Sequence, residues 1–230
     1  MKDDTNPMDF SLVMASSVHD MQNSLGMLLN SLEGIVAETP PENEAQAKRF
    51  ATLQYECSRI NGELIQLLSI YRMKDNRLPL HVDEHFVIDM LDDQLARNHM
   101  LFETRGVEVE VDCDADLAWY FDNDLAGGVI HNIMINCARY TKSKLKVAAA
   151  VENGVLCVSI ADDGAGYPAA MLEAPLNFDG AVNFETGSTN LGLFFANEVA
   201  KLHCQGDVCG RIELSNGGPL NGGEFKLFLP

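Results

Sequence analysis

The chain has 230 residues, enough for one large domain or two small ones with a core that needs neither disulfides nor metal, so a stapled mini-protein is excluded. Sixteen Lys and Arg against thirty-four Asp and Glu leave a net charge of −18, a field that repels nucleic acid and anionic lipid and argues against a role on either. No apolar run approaches the roughly 18 residues of a membrane span, and residues 1–7 lack a basic-then-apolar leader, so the expectation is a soluble, cytoplasmic protein with no membrane span.

From Phe10 to Lys74 the pattern is helical, broken only by Glu38-Thr39-Pro40-Pro41-Glu42-Asn43, which ends one helix and starts another. Met14, Val18, Met21, Leu25, Leu28, Leu32 and Ile35 recur with gaps of 4 and 3 on the first helix, as do Phe50, Leu53, Cys57, Ile60, Leu64, Leu67 and Tyr71 on the second. Each arm therefore carries a heptad seam. A lone two-helix hairpin leaves about half of each stripe in water, so pairing of two hairpins into a four-helix bundle, a homodimer, is expected. Gly26, Gly34 and Gly62 cost the helices about 1 kcal/mol each relative to alanine.

After Asp75 the texture becomes mixed, which divides the chain into residues 1–77, net −4, and residues 78–230, net −14. Strands are expected at Val107–Val111, Lys144–Val151, Val155–Ala161 and Glu224–Leu229, with helices at His85–Thr104, Asp122–Tyr140 and Asn190–His203. The fold class is α+β, with helices layered over a mixed sheet. Cys57, Cys113, Cys137 and Cys157 sit in apolar runs as small hydrophobes, which suits a reducing compartment. Cys204 and Cys209 lie close together beside His203, but a four-residue gap without a second Cys/His pair is poor zinc spacing.

Three short patterns carry chemistry. In His19-Asp20-Met21-Gln22-Asn23 the seam residue Val18 puts His19 on the flank of the helix, with Asn23 one turn on along the same face. A solvated imidazole is nucleophilic near neutrality, and an adjacent carboxylate can take its other ring proton. In Asn132-Ile133-Met134-Ile135-Asn136 the two amides share a helix face and offer oxygen to a hard cation such as Mg²⁺; Arg139, Lys142, Lys144 and Lys146 follow as a cationic cluster for an anionic ligand. In Asp162-Asp163-Gly164-Ala165-Gly166 a carboxylate at a strand end can accept from an exocyclic amine while the glycines let backbone approach a flat ligand. Gly187-Ser188-Thr189-Asn190-Leu191-Gly192-Leu193 then leads into a helix whose first amides suit phosphate, and Gly222-Gly223 turns into the last strand.

Taken in this order, from about Phe10 to Pro230, the patterns resemble the catalytic core of two-component sensor histidine kinases, with an ATP site of the gyrase, Hsp90 and MutL type. His19-Asp20-x-x-Asn23 resembles the H box, Asn132 to Thr141 the N box, Asp162-x-Gly164-x-Gly166 the G1 box and Leu191-Gly192-Leu193 the end of the G2 box. The resemblance implies a helical hairpin for dimerisation and histidine phosphotransfer at residues 1–77. It implies a two-layer α/β sandwich of the Bergerat type at residues 78–230. It implies His19 as phosphoacceptor, Asp20 as its base, Asn23 as the residue positioning water for dephosphorylation, Asn136 as the Mg²⁺ ligand and Asp162 as the adenine reader. Asn132, Arg139, Gly164, Gly166, Leu191 and Gly192 complete the ATP site, and a response-regulator receiver domain is the implied partner.

Two alternatives remain open. Ser188 and Asn190 stand where the family's G2 box has glycines, and Tyr167 to Thr186 contains Glu173, Asp179 and Glu185 but no Lys or Arg. These features favour a phosphotransfer protein that passes phosphate between regulators through His19 without nucleotide; a non-enzymatic dimeric scaffold that binds a regulator is the third reading. Phe178 and Phe184 are expected to pack that segment on the core. Fewer than ten residues precede the first helix, so the expectation is a sensor-less kinase signalled by a separate protein. His81, His85, His99 and His203 are expected at the surface or an edge, His131 in packing, and Trp119 and Tyr120 in the core.

Overall fold

The computed structural model describes residues 10–74, 78–173 and 191–230. The chain separates into two compact units, Met1–Leu78 and Pro79–Pro230, and each is described by itself.

The first unit is an antiparallel pair of helices, α1 (Phe10–Glu38) and α2 (Glu44–Lys74). Asn43 caps the start of α2, its Oδ1 accepting from the Gln46 N–H, and Gln46 Oε1 accepts from the N–H of Glu42, the residue before the cap. Val18, Tyr55 and Ile70 are buried between the helices, but the hairpin does not cover the rest of both seams. Met21, Leu28 and Ile35 are 52%, 58% and 52% exposed, and Leu53, Ile60 and Leu67 are 53%, 40% and 39% exposed. Both sets repeat every seven residues, so each helix shows one unpartnered apolar stripe along its length.

The second unit is a five-stranded mixed sheet covered on one face by helices. Its strands are β2 (Glu108–Cys113), β4 (Lys144–Glu152), β5 (Val155–Asp162), β8 (Arg211–Asn216) and β9 (Gly223–Leu229), in the order β2-β4-β5-β9-β8. Only β2 and β4 run parallel. The covering layer is α3 (Val87–Arg105), α4 (Asn123–Tyr140) and α6 (Leu191–Leu202). Leu145, Val147, Leu156, Val158, Ile160, Phe225 and Leu227 are buried beneath them against Val129, Ile130, Met134, Phe195 and Val199. Lys144, Ser159 and Lys226 occupy alternate, less buried positions of the same strands, as expected for a sheet with one wet face.

Smaller elements fill the connections. β1 (Asp83–Phe86) pairs antiparallel with β3 (Ala118–Phe121), α5 (Ala169–Glu173) follows the β5 turn, and β6 (Cys204–Gln205) and β7 (Val208–Cys209) form a ribbon after α6.

Several expectations need correcting. His85 and Phe86 belong to β1, not to the helix, because pairing with Trp119 and Ala118 overrides their helical periodicity; α3 begins at Val87. Gly106, with φ +64°, ends α3 in a Schellman turn: its N–H donates to the Glu103 carbonyl and the Val107 N–H to the Phe102 carbonyl. Tyr120 is 60% exposed on the outer side of β3, and Trp119, half-buried, donates from Nε1 to the Leu229 carbonyl 3.1 Å away. His203 is buried, for a reason given below. Cys204 and Cys209 are joined in a disulfide across the ribbon, whereas the other four cysteines are thiols. Ser188, Asn190, Phe178, Asp179, Phe184 and Glu185 lie outside the described residues.

Candidate functional site

His19, Asp20 and Asn23 are all exposed on α1, while Val18 is 3% exposed and faces the hairpin interior. The 100° step from Val18 to His19 accounts for this, because adjacent helical residues cannot share a face. The imidazole is therefore open to a reactant from solvent.

The second constellation centres on the end of β5 and the face of α4. Asp122 caps α4, its carboxylate accepting from the Leu125 N–H at 3.0 Å, and the helix then buries Val129, Ile130, Ile133 and Met134. This rotation leaves Asn136 exposed and Asn132 half-buried. Asn132 Nδ2 is buried with no hydrogen-bond partner among the described residues. It lies over Gly192 in the first turn of α6, where any Cβ would collide with the amide. An amide donor enclosed without a partner is costly unless something else accepts from it, and an anionic oxygen at a helix N-terminus fits.

At the end of β5, Asp162 is 7% exposed. Its Oδ1 accepts from the Gly164 N–H at 2.7 Å and the Gly223 N–H at 3.3 Å, leaving Oδ2 without a hydrogen bond among the described residues. Close approach dictates the glycines: a Cβ at Gly164 would strike the Tyr140 carbonyl, and one at Gly222 would strike the Asp162 carbonyl. Gly166 has φ +78° and sits under the Asn216 amide, which clamps Tyr167 by accepting from its N–H at 2.7 Å and donating to its carbonyl at 2.8 Å. Tyr167 is pushed well above the usual phenol range, by burial first and then by Cys137 and Asp162.

Asp163 points the other way and ties the site together. Oδ1 accepts from the Lys142 and Ser143 N–H groups at 2.8 and 3.0 Å, and Oδ2 from the Ser143 hydroxyl at 2.7 Å. Burial works to raise this carboxyl, but the hydrogen bonds from Ser143, Lys144 and Lys142 outweigh it and hold the group well below the usual carboxylate range. The connection leaving α4 is thereby fastened to the turn that carries Asp162.

The structure brings Asn132 to Gly192, and Asp162 to Gly164 and Gly223. Leu191 is half-buried beside Gly192. Arg139 instead stacks over the Tyr140 ring, 5.5 Å from its centroid. The expected cationic cluster is divided: Lys146 pairs with Glu110 and Asp112 at 3.0 and 3.1 Å, and Lys144 with Glu108 at 3.8 Å, across the wet face of the sheet. Hydrogen bonds to Glu110 and Asp112 raise the Lys146 ammonium above its ordinary value. An apolar cavity of about 310 Å³ between α3 and β2 is lined by Leu95, Phe102, Val107, Val109 and Val111, none of them a candidate residue. Asn216, Ser143 and the bonding role of Asp163 were not legible in the sequence. Their partners stand 20 to 49 residues away, and only the Gly222-Gly223 pair hinted at a close approach.

Residues 121–230 match the family described as Histidine kinase-, DNA gyrase B-, and HSP90-like ATPase. Among curated relatives, the sensor histidine kinase GraS of Staphylococcus haemolyticus is 24% identical over 162 residues, covering 69% of this chain and 47% of its own length. The sensor protein SrrB of Staphylococcus aureus is 22% identical over 210 residues, 89% of this chain and 36% of its own. The chain thus spans about half or less of the curated relatives it matches. Among solved structures, the Acinetobacter baumannii histidine kinase AdeS superposes with a TM-score of 0.56 at 16% identity, covering 90% of this chain and 95% of that one. Full-length ShkA in complex with AMPPNP gives 0.61 at 17% identity over 94% and 45%.

Proposed function

We infer the activity from one premise: the chain carries the fold of a two-component histidine kinase catalytic core, and its residues 121–230 form an ATPase domain of the histidine kinase, gyrase B and HSP90 type. On that premise the protein is an ATP-dependent protein-histidine kinase that phosphorylates His19 and exchanges the phosphoryl group with an aspartate of a response-regulator receiver domain. The observation that carries this reading is Asp162: two backbone N–H groups fix one carboxylate oxygen and leave the other available at the strand end for an exocyclic amine.

Each group has a task in that reaction. Asp162 Oδ2 would accept from adenine, Asn132 Nδ2 would donate to a phosphate oxygen, and the Asn136 amide oxygen would hold Mg²⁺, a hard cation suited to oxygen. ATP is the substrate whose γ-phosphorus–oxygen bond breaks as ADP departs, and Mg²⁺ held at Asn136 would supply neutralisation of the triphosphate charge. His19 forms the new N–P bond while Asp20 takes the proton from the other ring nitrogen. Asn23, one turn along, orients a water when the phosphoryl group on a regulator is hydrolysed. The exposed heptad stripes Met21, Leu28, Ile35 and Leu53, Ile60, Leu67 support a homodimer whose four helices bury them.

Ser188 and Asn190 in place of glycines favour a second reading, phosphotransfer through His19 without nucleotide. Calorimetry with an ATP analogue and Mg²⁺ separates the two: the kinase binds, and no heat at millimolar ligand ends that reading. Acid-labile, base-stable label on the wild type, absent from His19→Gln, identifies the phosphoacceptor; label that persists on the variant removes His19 from the role.

A further inference from the structure

The ribbon after α6 carries a feature that the phosphotransfer chemistry does not use. Cys204 and Cys209 stand opposite each other across β6 and β7, both exposed, and are joined by a disulfide. They are only five positions apart in the chain. A cross-link over so short a loop restricts the unfolded chain little, so stability alone is a weak reason for it. Cys137 and Cys157 are buried thiols, pushed far up and up to about 12 by that burial first, which leaves them inert to exchange. An exposed disulfide is the kind that thiols attack.

The base of the ribbon is tied to the start of α4 through His203 and Asp122. The Gly210 N–H donates to the His203 carbonyl at 2.8 Å. A Cβ at Gly210 would stand 2.5 Å from the Ala200 carbonyl oxygen and 2.6 Å from that of Phe228, so the chain leaves the ribbon wedged between α6 and β9. His203 itself is 3% exposed. Its Nδ1 lies 2.8 Å from the Val199 carbonyl and donates to it, which leaves Nε2 to accept from the Asp122 N–H at 3.0 Å. Asp122 in turn caps α4 and accepts from the His81 N–H at 2.9 Å. His203, which directly precedes Cys204, therefore links the cystine to Asp122 at the start of the helix bearing Asn132 and Asn136.

We propose that Cys204–Cys209 is a thiol–disulfide exchange site, taking a thiol reductant, whose state sets how firmly His203 holds the cap of α4. A reductant thiolate attacks one sulfur, forming a mixed disulfide while the other cysteine leaves as a thiolate and takes a proton. A second reductant thiol then closes the reductant's disulfide and releases the remaining cysteine, so two electrons and two protons enter the protein. Reduction frees β6 from β7 and loosens the turn at His203; reoxidation restores it. The effect on nucleotide binding rests on the kinase reading above, whereas the exchange itself does not.

The test uses the whole chain purified without reductant and equilibrated in glutathione redox buffers, then acid-quenched and unfolded in denaturant so that buried thiols also react, with thiols counted by alkylation and intact mass. Four alkylated thiols are expected in the oxidised protein and six after reduction, in one two-electron transition. Hydrogen exchange at the Leu125 amide should quicken on reduction, and the AMPPNP dissociation constant should rise about fivefold, the low end of ordinary coupling between sites. The Cys204→Ser/Cys209→Ser variant should hold four thiols in every buffer and match the reduced protein in Leu125 exchange and AMPPNP affinity. Six thiols before any reductant, a pair that no glutathione ratio reduces, or Leu125 exchange unchanged between states would each overturn the proposal. Absence of AMPPNP binding in both states would count against the kinase reading alone, since the thiol count and Leu125 exchange still decide the redox site.

Discussion

A single carboxylate, Asp163, joins two segments 20 residues apart by accepting from two backbone N–H groups and a hydroxyl. Charge-assisted bonds of this kind exceed neutral ones, and Asp163→Ala should cost about 1–2 kcal/mol, read from urea midpoints of the whole chain. The carboxyl is depressed in the folded protein, so its contribution is present above the unfolded value near 4 and lost as pH falls toward the folded one. The gap between wild type and variant should therefore stay constant from pH 8 to about pH 5 and narrow only in stronger acid. His131 behaves in the opposite sense. Its Nδ1 lies 3.0 Å from Asn98 Nδ2, and burial, followed by the charge of Arg97, lowers its pKa. The unfolded chain then binds a proton near pH 6.5 that the folded chain resists, so stability falls as pH drops from 7 to 5. His131→Gln should flatten that slope in the same measurement.

At the scale of elements, local signals were reliable where the chain itself satisfied its backbone groups. Asn43 with Gln46 and Asp122 with Leu125 are caps within four residues, and the helices they open lie within a residue of where periodicity places them. Elements that depend on a distant partner were not legible: β1 exists because β3 lies beside it, and β8 because β9 does. Inside α1, Gly34 has nothing within 4 Å of where a Cβ would stand. Gly34→Ala should thus raise stability by about 0.5–1 kcal/mol through helix propensity alone, visible as a higher urea midpoint; a loss would mean that another chain approaches closely there.

For the whole molecule, the decisive quantity is the apolar surface the single chain leaves uncovered on its hairpin. Leu28, 58% exposed, stands mid-stripe on α1. If two hairpins bury these stripes together, Leu28→Glu removes about 2 kcal/mol of leucine burial from each copy, roughly thirtyfold per copy in association. Sedimentation should show a wild-type dimer and a variant shifted to monomer at micromolar concentration. Equal sedimentation of both would leave the stripes to another partner. The separation of −4 on residues 1–77 from −14 on residues 78–230 adds a second expectation, since repulsion between acidic domains weakens as salt screens it.

The order of the four boxes, the heptad spacing and the carboxylate before Gly164 were present in the amino-acid string, because helix periodicity and glycine chemistry act over a few residues and need no tertiary contact. The string also placed His19 off the seam, a consequence of helix geometry alone. What required the folded chain was every contact that closes a long loop: Asp163 with Ser143, Asn216 with Tyr167, Gly192 beneath Asn132, and His203 turned inward to Asp122. Such pairings depend on which surfaces meet once apolar burial has brought distant segments together, and no rule of local spacing encodes that meeting.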